Sequence, residues 1–348
     1  MRKIILTILF SSFWYFSLAQ NTFQKAFKTS KYSTKNNIRI QLKDRQGNET
    51  QLPISIIKGA NNGPVFTILA GVHGYEYPPI ISTQAILQEI DPKILNGTLV
   101  IIPITNKGSF FKRTPFINPQ DNKNLNNAFP GNPTGSITEQ IAHFITNNII
   151  EVSDIFLDIH GGDSPEDLIP FVCYYNNEQK PKQTALAKKL SKESGFDYVV
   201  EYPYNLKESD PAKYAFKQAV KNGKTSLSIE CGRLGIVQKE NVKLIKKGVY
   251  NMLASLGMYK KGEGPSNDIK FLNNQTYVKA RQSGVFYSNF KAGDSIQKGE
   301  VIGYTTDEFG TIIEKHKATN NGIILYMLAT PPVNRGDTVI CISRHVKR

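Results

Sequence analysis

The chain has 348 residues, 43 Lys and Arg against 29 Asp and Glu (formal charge +14), and 40% apolar content. That is enough apolar material for a substantial core, and it excludes a disordered or collagen-like chain, while three cysteines are too few and too odd in number for a disulfide framework, although one bridge is open to them. The positive charge does not make this a nucleic-acid binder, because the lysines are scattered and neither an arginine-rich cluster nor a recognition motif accompanies them. Its field would instead steer anionic substrates or favour an anionic envelope surface.

Along the chain, a basic start (Arg2, Lys3) leads into an apolar stretch over 4–16 and small residues at Ser17 and Ala19. This pattern predicts a signal peptide over residues 1–19, a mature start at Gln20 and export to the periplasm or beyond, without stable membrane insertion after cleavage. An uncleaved anchor is the alternative, weakened by the short apolar run. Residues 20–60 are polar and strand-like, with alternating segments at Ile38–Leu42 and Leu52–Ile57.

An alternating region follows. Val65–Ala70 is β-branched and continuous between Gly63-Pro64 and Gly71, so it reads as a buried strand; a helix is expected over Pro78–Ile90 and a strand over Leu99–Ile104. Residues 106–135 form a long asparagine- and proline-rich loop, and loops of that length are usually functional. Ser136 and Glu139 have capping-box spacing ahead of a helix with Ile137, Ile141, Phe144, Ile145 and Ile149 at helical intervals. Then come a strand at Ile155–Ile159, a helix near Thr184–Ser194 stopped by Gly195, a strand at Thr225–Glu230 and a helix over Glu240–Leu256 ended by Gly257. The alternation predicts an α/β fold, a mostly parallel central sheet with helices on both faces, over residues 20–262.

Residues 260–268 have linker composition, and beyond them the period becomes strand-like with regular glycines. Residues 263–348 are thus expected to form a small C-terminal β module. The stretch 292–303 resembles hairpins of biotinyl and lipoyl carrier domains but lacks their carrier lysine motif, so a structural role is expected. His316 and His345 in this module, and His143 on the capped helix, lack company suited to metal ligation and read as surface residues.

The chemistry concentrates where strands end. Gly71-Val72-His73-Gly74-Tyr75-Glu76 follows the first buried strand and sets an imidazole and a carboxylate three residues apart on a strand-to-helix turn. His160 ends a second strand and is followed by Gly161 and Gly162. Open α/β sheets build their sites at the carboxyl ends of strands. Two histidines and a carboxylate suit catalytic Zn²⁺, which keeps an open position for water, so His73, Glu76 and His160 are the expected ligands of one zinc per chain. Ligand type favours zinc, but metal availability also decides.

Together with the segment Asn124-Leu125-Asn126-Asn127-Ala128-Phe129-Pro130-Gly131 and the strand end Ser228-Ile229-Glu230, these residues resemble the succinylglutamate desuccinylase and aspartoacylase family. The resemblance runs from about residue 60 to 260 and implies a zinc hydrolase of carboxypeptidase-like fold. By motif it implies that Glu230 is the catalytic glutamate, base towards the activated water and then acid to the leaving nitrogen. Arg113 matches an arginine that helps hold the substrate carbonyl, where a fixed guanidinium could stabilise developing negative charge. Asn126 matches an asparagine that contacts substrate.

Asn127 departs from the family, which usually carries an arginine there to bind the substrate carboxylate; an asparagine cannot offer that charge-assisted fork. Either another base, Arg233 or Lys123, supplies the clamp, or the substrate lacks a carboxylate at that point. Asp158, two residues before His160 on one strand, should share its face and either orients the ligand or simply ends the strand. Zinc held by the triad would lower the pKa of water towards about 7 and polarise a carbonyl. The expectation is an exported zinc-dependent deacylase acting on the amide, or less readily the ester, of a small acylated or peptide-like molecule. A carboxypeptidase on cell-envelope peptides and a non-catalytic binding protein on the same scaffold are the alternatives. The sequence leaves the oligomeric state unknown.

Overall fold

The computed structural model describes residues 19–346, so the expected signal peptide lies outside the described residues except for Ala19. Residues 19–29 form a helix, α1, whose Phe23 is fully buried against Phe144 in an edge-to-face contact. β1 (Thr34–Lys43) and β2 (Glu49–Lys58) form a hairpin. Its turn is held by the buried Asp44, which accepts from Gln46 N and Asn48 N, each at 2.9 Å. β3 (Asn61–Ala70), α2 (Tyr77–Glu89) and β4 (Asn96–Ile102) follow as a right-handed unit would require, with Pro in the first turn of α2.

The stretch expected as an open loop carries structure of its own. α3 (Lys107–Lys112) is capped by Asn106, whose side chain accepts from Ser109 N at 3.1 Å; β5 (Ile117–Asn118) and β6 (Lys123–Asn124) pair; and a 3₁₀ turn covers Leu125–Asn127. Local asparagine side chains supply much of this order, because Asx groups satisfy nearby amides that no long element reaches. α4 (Ile137–Phe144) continues as a π-helical segment over Ile145–Ile150. Its Glu139 carboxylate accepts from Ser136 N at 2.8 Å, while Asp44 and Asp121 accept from Ile137 N and Thr138 N at 3.1 and 2.9 Å. Three carboxylates thus meet a helix N-terminus, where the peptide dipoles favour them.

Next come β7 (Ile155–His160), β8 (Glu166–Leu168), β9 (Phe171–Asn176), α5 (Pro181–Glu193), β10 (Tyr198–Pro203), α6 (Ala215–Lys221), β11 (Thr225–Glu230) and α7 (Lys239–Ser255). β4, β3, β7 and β11 run parallel at the centre of the main sheet. β9 inserts between β11 and β10, antiparallel to the first and parallel to the second. Ile155, Leu157 and Ile159 of β7 face the apolar cluster under α2, α5 and α7, and Phe156 faces the one under α1, α4 and α6. The period of two therefore carries Asp158 and His160 to the α6 side.

Residues 260–268 are tied to α7, since the Asn251 side chain accepts from Glu263 N at 2.7 Å and donates to Gly264 O at 2.7 Å. The tail comprises β12 (Lys270–Lys279), β13 (Gly284–Tyr287), β14 (Ser295–Ile296), β15 (Val301–Thr306), β16 (Ile312–Lys317), β17 (Gly322–Leu328), β18 (Pro332–Val333) and β19 (Thr338–His345). β16, β15, β13 and β18 form a small antiparallel sheet over a separate apolar cluster. β12 pairs parallel with β10, and β19, β17 and β14 continue the main sheet from it. β17 also pairs with β8, bringing Tyr326 opposite Leu168. His316 is buried in this tail, with Nε2 2.8 Å from Thr305 Oγ1, contrary to the surface position expected of it; a neutral imidazole with a hydroxyl partner packs inside at little cost. His345 is exposed and His143 is half-buried. All three cysteines are free and buried. Among the described residues no helix is long and apolar enough to cross a membrane.

Candidate metal centre and active site

The three parallel strands end in line. Ala70 lies opposite Ile159, and His160 opposite Glu230, so β3, β7 and β11 deliver their last residues to one edge of the sheet. Gly71 then turns the chain with φ +67°, a conformation that suits glycine. A Cβ on Gly74 would lie 2.0 Å from Phe110 N; its absence lets this turn settle onto α3, where Gly74 N donates to Ser109 Oγ at 3.1 Å. The result places Glu76 between the two imidazoles.

His73 Nδ1 is 2.7 Å from Glu76 Oε1, and His160 Nδ1 is 3.1 Å from Glu76 Oε2. One ligand atom from each residue lies within 4.8 Å of the others, and all three residues are buried. The far nitrogens are also engaged. His73 Nε2 is 3.1 Å from Asn124 Oδ1, and His160 Nε2 is 3.1 Å from Oδ1 of the fully buried Asp158. Asp158 Oδ2 in turn accepts from Phe216 N at 3.3 Å. The Asn124 acceptor behind His73, and the Asp158 charge beside His160, favour the proton on Nε2, which leaves each Nδ1 lone pair facing inward. Two imidazoles and a carboxylate so disposed fit a zinc ion.

Burial alone would raise the Glu76 carboxyl, but the His73 and His160 charges and hydrogen bonds pull it down to about 2. Burial opposes charge on both histidines, yet Glu76 raises His73, and Asp158 with Glu76 raises His160 well above the ordinary imidazole value. Glu230 is different. Burial, then the carboxylates Glu76, Glu166 and Asp158, push it up to about 8 against the opposing charge of His160. Glu166 is pushed up to about 7 by burial and Glu76, and Asp163 to about 6 for the same two reasons. Burial and mutual repulsion among neighbouring carboxylates thus act in the same direction on all three.

A cavity of about 330 Å³ opens over these groups. His73, Glu76, His160, Glu230 and Asn126 line it, so the structure brings these five expected residues together. Asn126 Oδ1 is buried there without a hydrogen-bond partner. The other three expected residues do not line it. Asn127 and Arg113 are exposed, Arg113 as the left-handed C-cap of α3. Arg233 is directed to Asp167, with Nη1 to Oδ1 at 3.1 Å, and the alternative clamp Lys123 to Glu139 at 2.8 Å. The remaining wall includes Glu166, Tyr175, Tyr202, Tyr214, Tyr277 and Tyr326. Sequence reading passed over these, and over β9 and β10, although the aromatic, β-branched runs Phe171–Tyr175 and Tyr198–Tyr202 carried a strand signal.

A family model described as the succinylglutamate desuccinylase/aspartoacylase catalytic domain matches residues 62–256. An N-alpha-acetyl-L-2,4-diaminobutyric acid deacetylase from Halomonas elongata is 28% identical over 306 residues, 85% of this chain and 86% of that protein. Among solved structures, a succinylglutamate desuccinylase/aspartoacylase from Rhodobacter sphaeroides superposes with a TM-score of 0.79 at 21% identity, covering 92% of this chain and 98% of the other. The product-bound ectoine utilization protein EutE (DoeB) from Ruegeria pomeroyi gives 0.80 at 22% identity, with 91% and 98% covered.

Proposed function

This chain belongs to the succinylglutamate desuccinylase/aspartoacylase family, and from that premise we propose that it is an exported zinc-dependent deacylase of small N-acylated amino acids. The observation that carries the reading is the convergence of His73, Glu76 and His160 within 4.8 Å on the floor of a cavity that Glu230 also lines. The Halomonas relative, named for removing an acetyl group from a diamino acid, supports this substrate class. Export is supported by the basic, apolar and small-residue order of residues 1–19.

Zinc held by His73, Glu76 and His160 would supply a Lewis acid for the acyl carbonyl and an acidified water. The residues around it account for the rest. Asp158 and Asn124 fix the two imidazole rings and their tautomers from behind. Glu230 at the end of β11 takes the proton of the attacking water and returns it to the departing nitrogen, which turns a poor amide leaving group into an amine. Asn126, with a free acceptor in the cavity, holds a donor on the substrate. The aromatic wall bounds a cavity of about 330 Å³, which suits a small molecule.

Mature protein recovered from the exporting cell is expected to begin at Gln20, to carry about one zinc per chain, and to release acetate from N-acetyl amino acids. His160→Ala should lose most of the metal and the activity while keeping its fold by circular dichroism. Absence of zinc after reconstitution, or full activity in the metal-free variant, would overturn the proposal.

A further inference from the structure

The cavity is rich in carboxyl groups and poor in bases. Its wall includes the carboxylates Glu76, Glu166 and Glu230, and no lysine or arginine is among the lining residues. The basic side chains that could have offered a carboxylate clamp are committed elsewhere or exposed, as are Arg233 on Asp167, Lys123 on Glu139 and Arg113 at the surface. An anionic side chain on the substrate would therefore find no lysine or arginine among the lining residues to answer it, beyond what the metal itself supplies.

The same wall is dense in rings. Tyr175 stacks on Phe216 with centroids 4.7 Å apart, Tyr202 is 5.9 Å and Tyr204 6.0 Å from Tyr175, and Tyr277 and Tyr326 enter from β12 and β17 of the tail. These phenols are neutral, burial raising Tyr175, Tyr202 and Tyr326 well above the usual range. Tyr175 already meets a cation, Lys217 Nζ lying 5.2 Å from the ring centroid. Aromatic faces beside a carboxyl group are surroundings in which an ammonium group is held. Glu166 supplies the carboxylate from β8, which β17 clasps by main-chain pairing, so the carboxylate and Tyr326 are set by one ladder.

On the deacylase reading above, we infer that Tyr277 and Tyr326, with Tyr175, Tyr202 and Glu166, form a subsite for a cationic group carried by the leaving amine. The C-terminal strands thus contribute specificity-determining residues, and the preferred substrates are N-acylated amino acids with a positively charged side chain. The Asn126 acceptor, unpartnered in the cavity, is a further place for an N–H donor of such a substrate.

Three acetylated amino acids of similar size test this with the zinc-loaded protein: Nα-acetyl-L-lysine, N-acetyl-L-norleucine, which has the same carbon chain without the ammonium, and N-acetyl-L-glutamate. kcat/KM for the lysine compound should exceed that for norleucine at least roughly tenfold, chiefly through KM, and exceed that for glutamate by more. In Tyr326→Leu and Tyr277→Leu the lysine-to-norleucine ratio should fall towards one. Equal rates for lysine and norleucine, or preference for glutamate, would overturn the subsite. Calorimetric titration of the wild-type protein with choline and with 3,3-dimethylbutanol, its uncharged counterpart, decides the matter independently of turnover and of variant folding. Choline binding alone supports the subsite, and equal or absent binding of the two rejects it. If none of the three acetyl compounds is cleaved while choline binds, the deacylase reading falls and the cation subsite stands.

Discussion

At the residue scale, Glu230 separates two readings of the same carboxylate-rich floor. It lines the cavity but is not one of the three converging ligands, and burial with its acidic neighbours pushes it up to about 8. If it shuttles the proton, Glu230→Gln, which preserves size, should cut kcat by roughly 10²–10⁴-fold while leaving zinc content and thermal stability near wild type. A loss below tenfold would demote it to a structural strand end. His73, His160 and Glu230 could be read from sequence because each lies at or just past the end of an apolar strand run and is followed within a residue or two by glycine, and Glu76 because it falls three residues after His73 in the same turn. The cavity tyrosines could not. Tyr175, Tyr202, Tyr277 and Tyr326 sit in four different strands, where an aromatic reads equally well as ordinary strand propensity. Arg113 and Asn127 were placed by motif position and Arg233 as a base that could replace the missing clamp, and the structure directs the first two to the surface and the third to Asp167.

At the scale of the element, α4 shows how the long loop before it is held. Its Glu139 receives Ser136 N and also pairs with Lys123 next to the Asn124–Asn126 turn, linking the helix start to the segment that carries Asn126. Lys123, and then the Ser136 amide, hold the Glu139 carboxyl below its ordinary value although burial opposes them. A group whose folded value is depressed contributes stability that is present above its unfolded value and is lost as the pH falls through the folded one. Glu139→Gln should therefore cost about 0.5–1 kcal/mol near pH 7, a modest figure because the pair is partly exposed. The difference from wild type should close as the pH drops through and below about 4. A constant gap from pH 7 to pH 3 in thermal melts would show that the charge is irrelevant. The Ser136–Glu139 spacing revealed this helix in advance, but Asp44 and Asp121 reach its N-terminus from distant turns that no local pattern announces.

For the whole molecule, the tail is no detachable appendage of the α/β part. β12 pairs with β10, Leu272 belongs to the core beneath α4 and α6, and two cavity tyrosines come from beyond residue 262. The change from helical to strand period near residue 262 was visible in sequence, whereas the pairing of β12 with β10 was not, since both strands have ordinary alternation and nothing in either encodes its neighbour. A chain ending at residue 262 would leave β10 with an open edge and an uncovered apolar face, the condition that favours aggregation. Such a chain is expected to be insoluble or to melt well below the full protein, and to regain solubility when residues 263–348 are supplied in trans. A soluble truncated chain with wild-type activity would refute the dependence.

The ladder between β8 and β17 also bears on how the protein comes to be. β8 follows the metal-site strand directly, yet its partner is made near the end of synthesis. Loop closure over so long a stretch is entropically slow, so contacts of this kind form late. The residues proposed to hold metal can assemble on the central strands before the rest of the cavity exists, and for a time a nascent chain would offer them beside an unfinished wall. Catalytic competence would then lag behind metal uptake during refolding, the interval being set by how fast the last strands find their place.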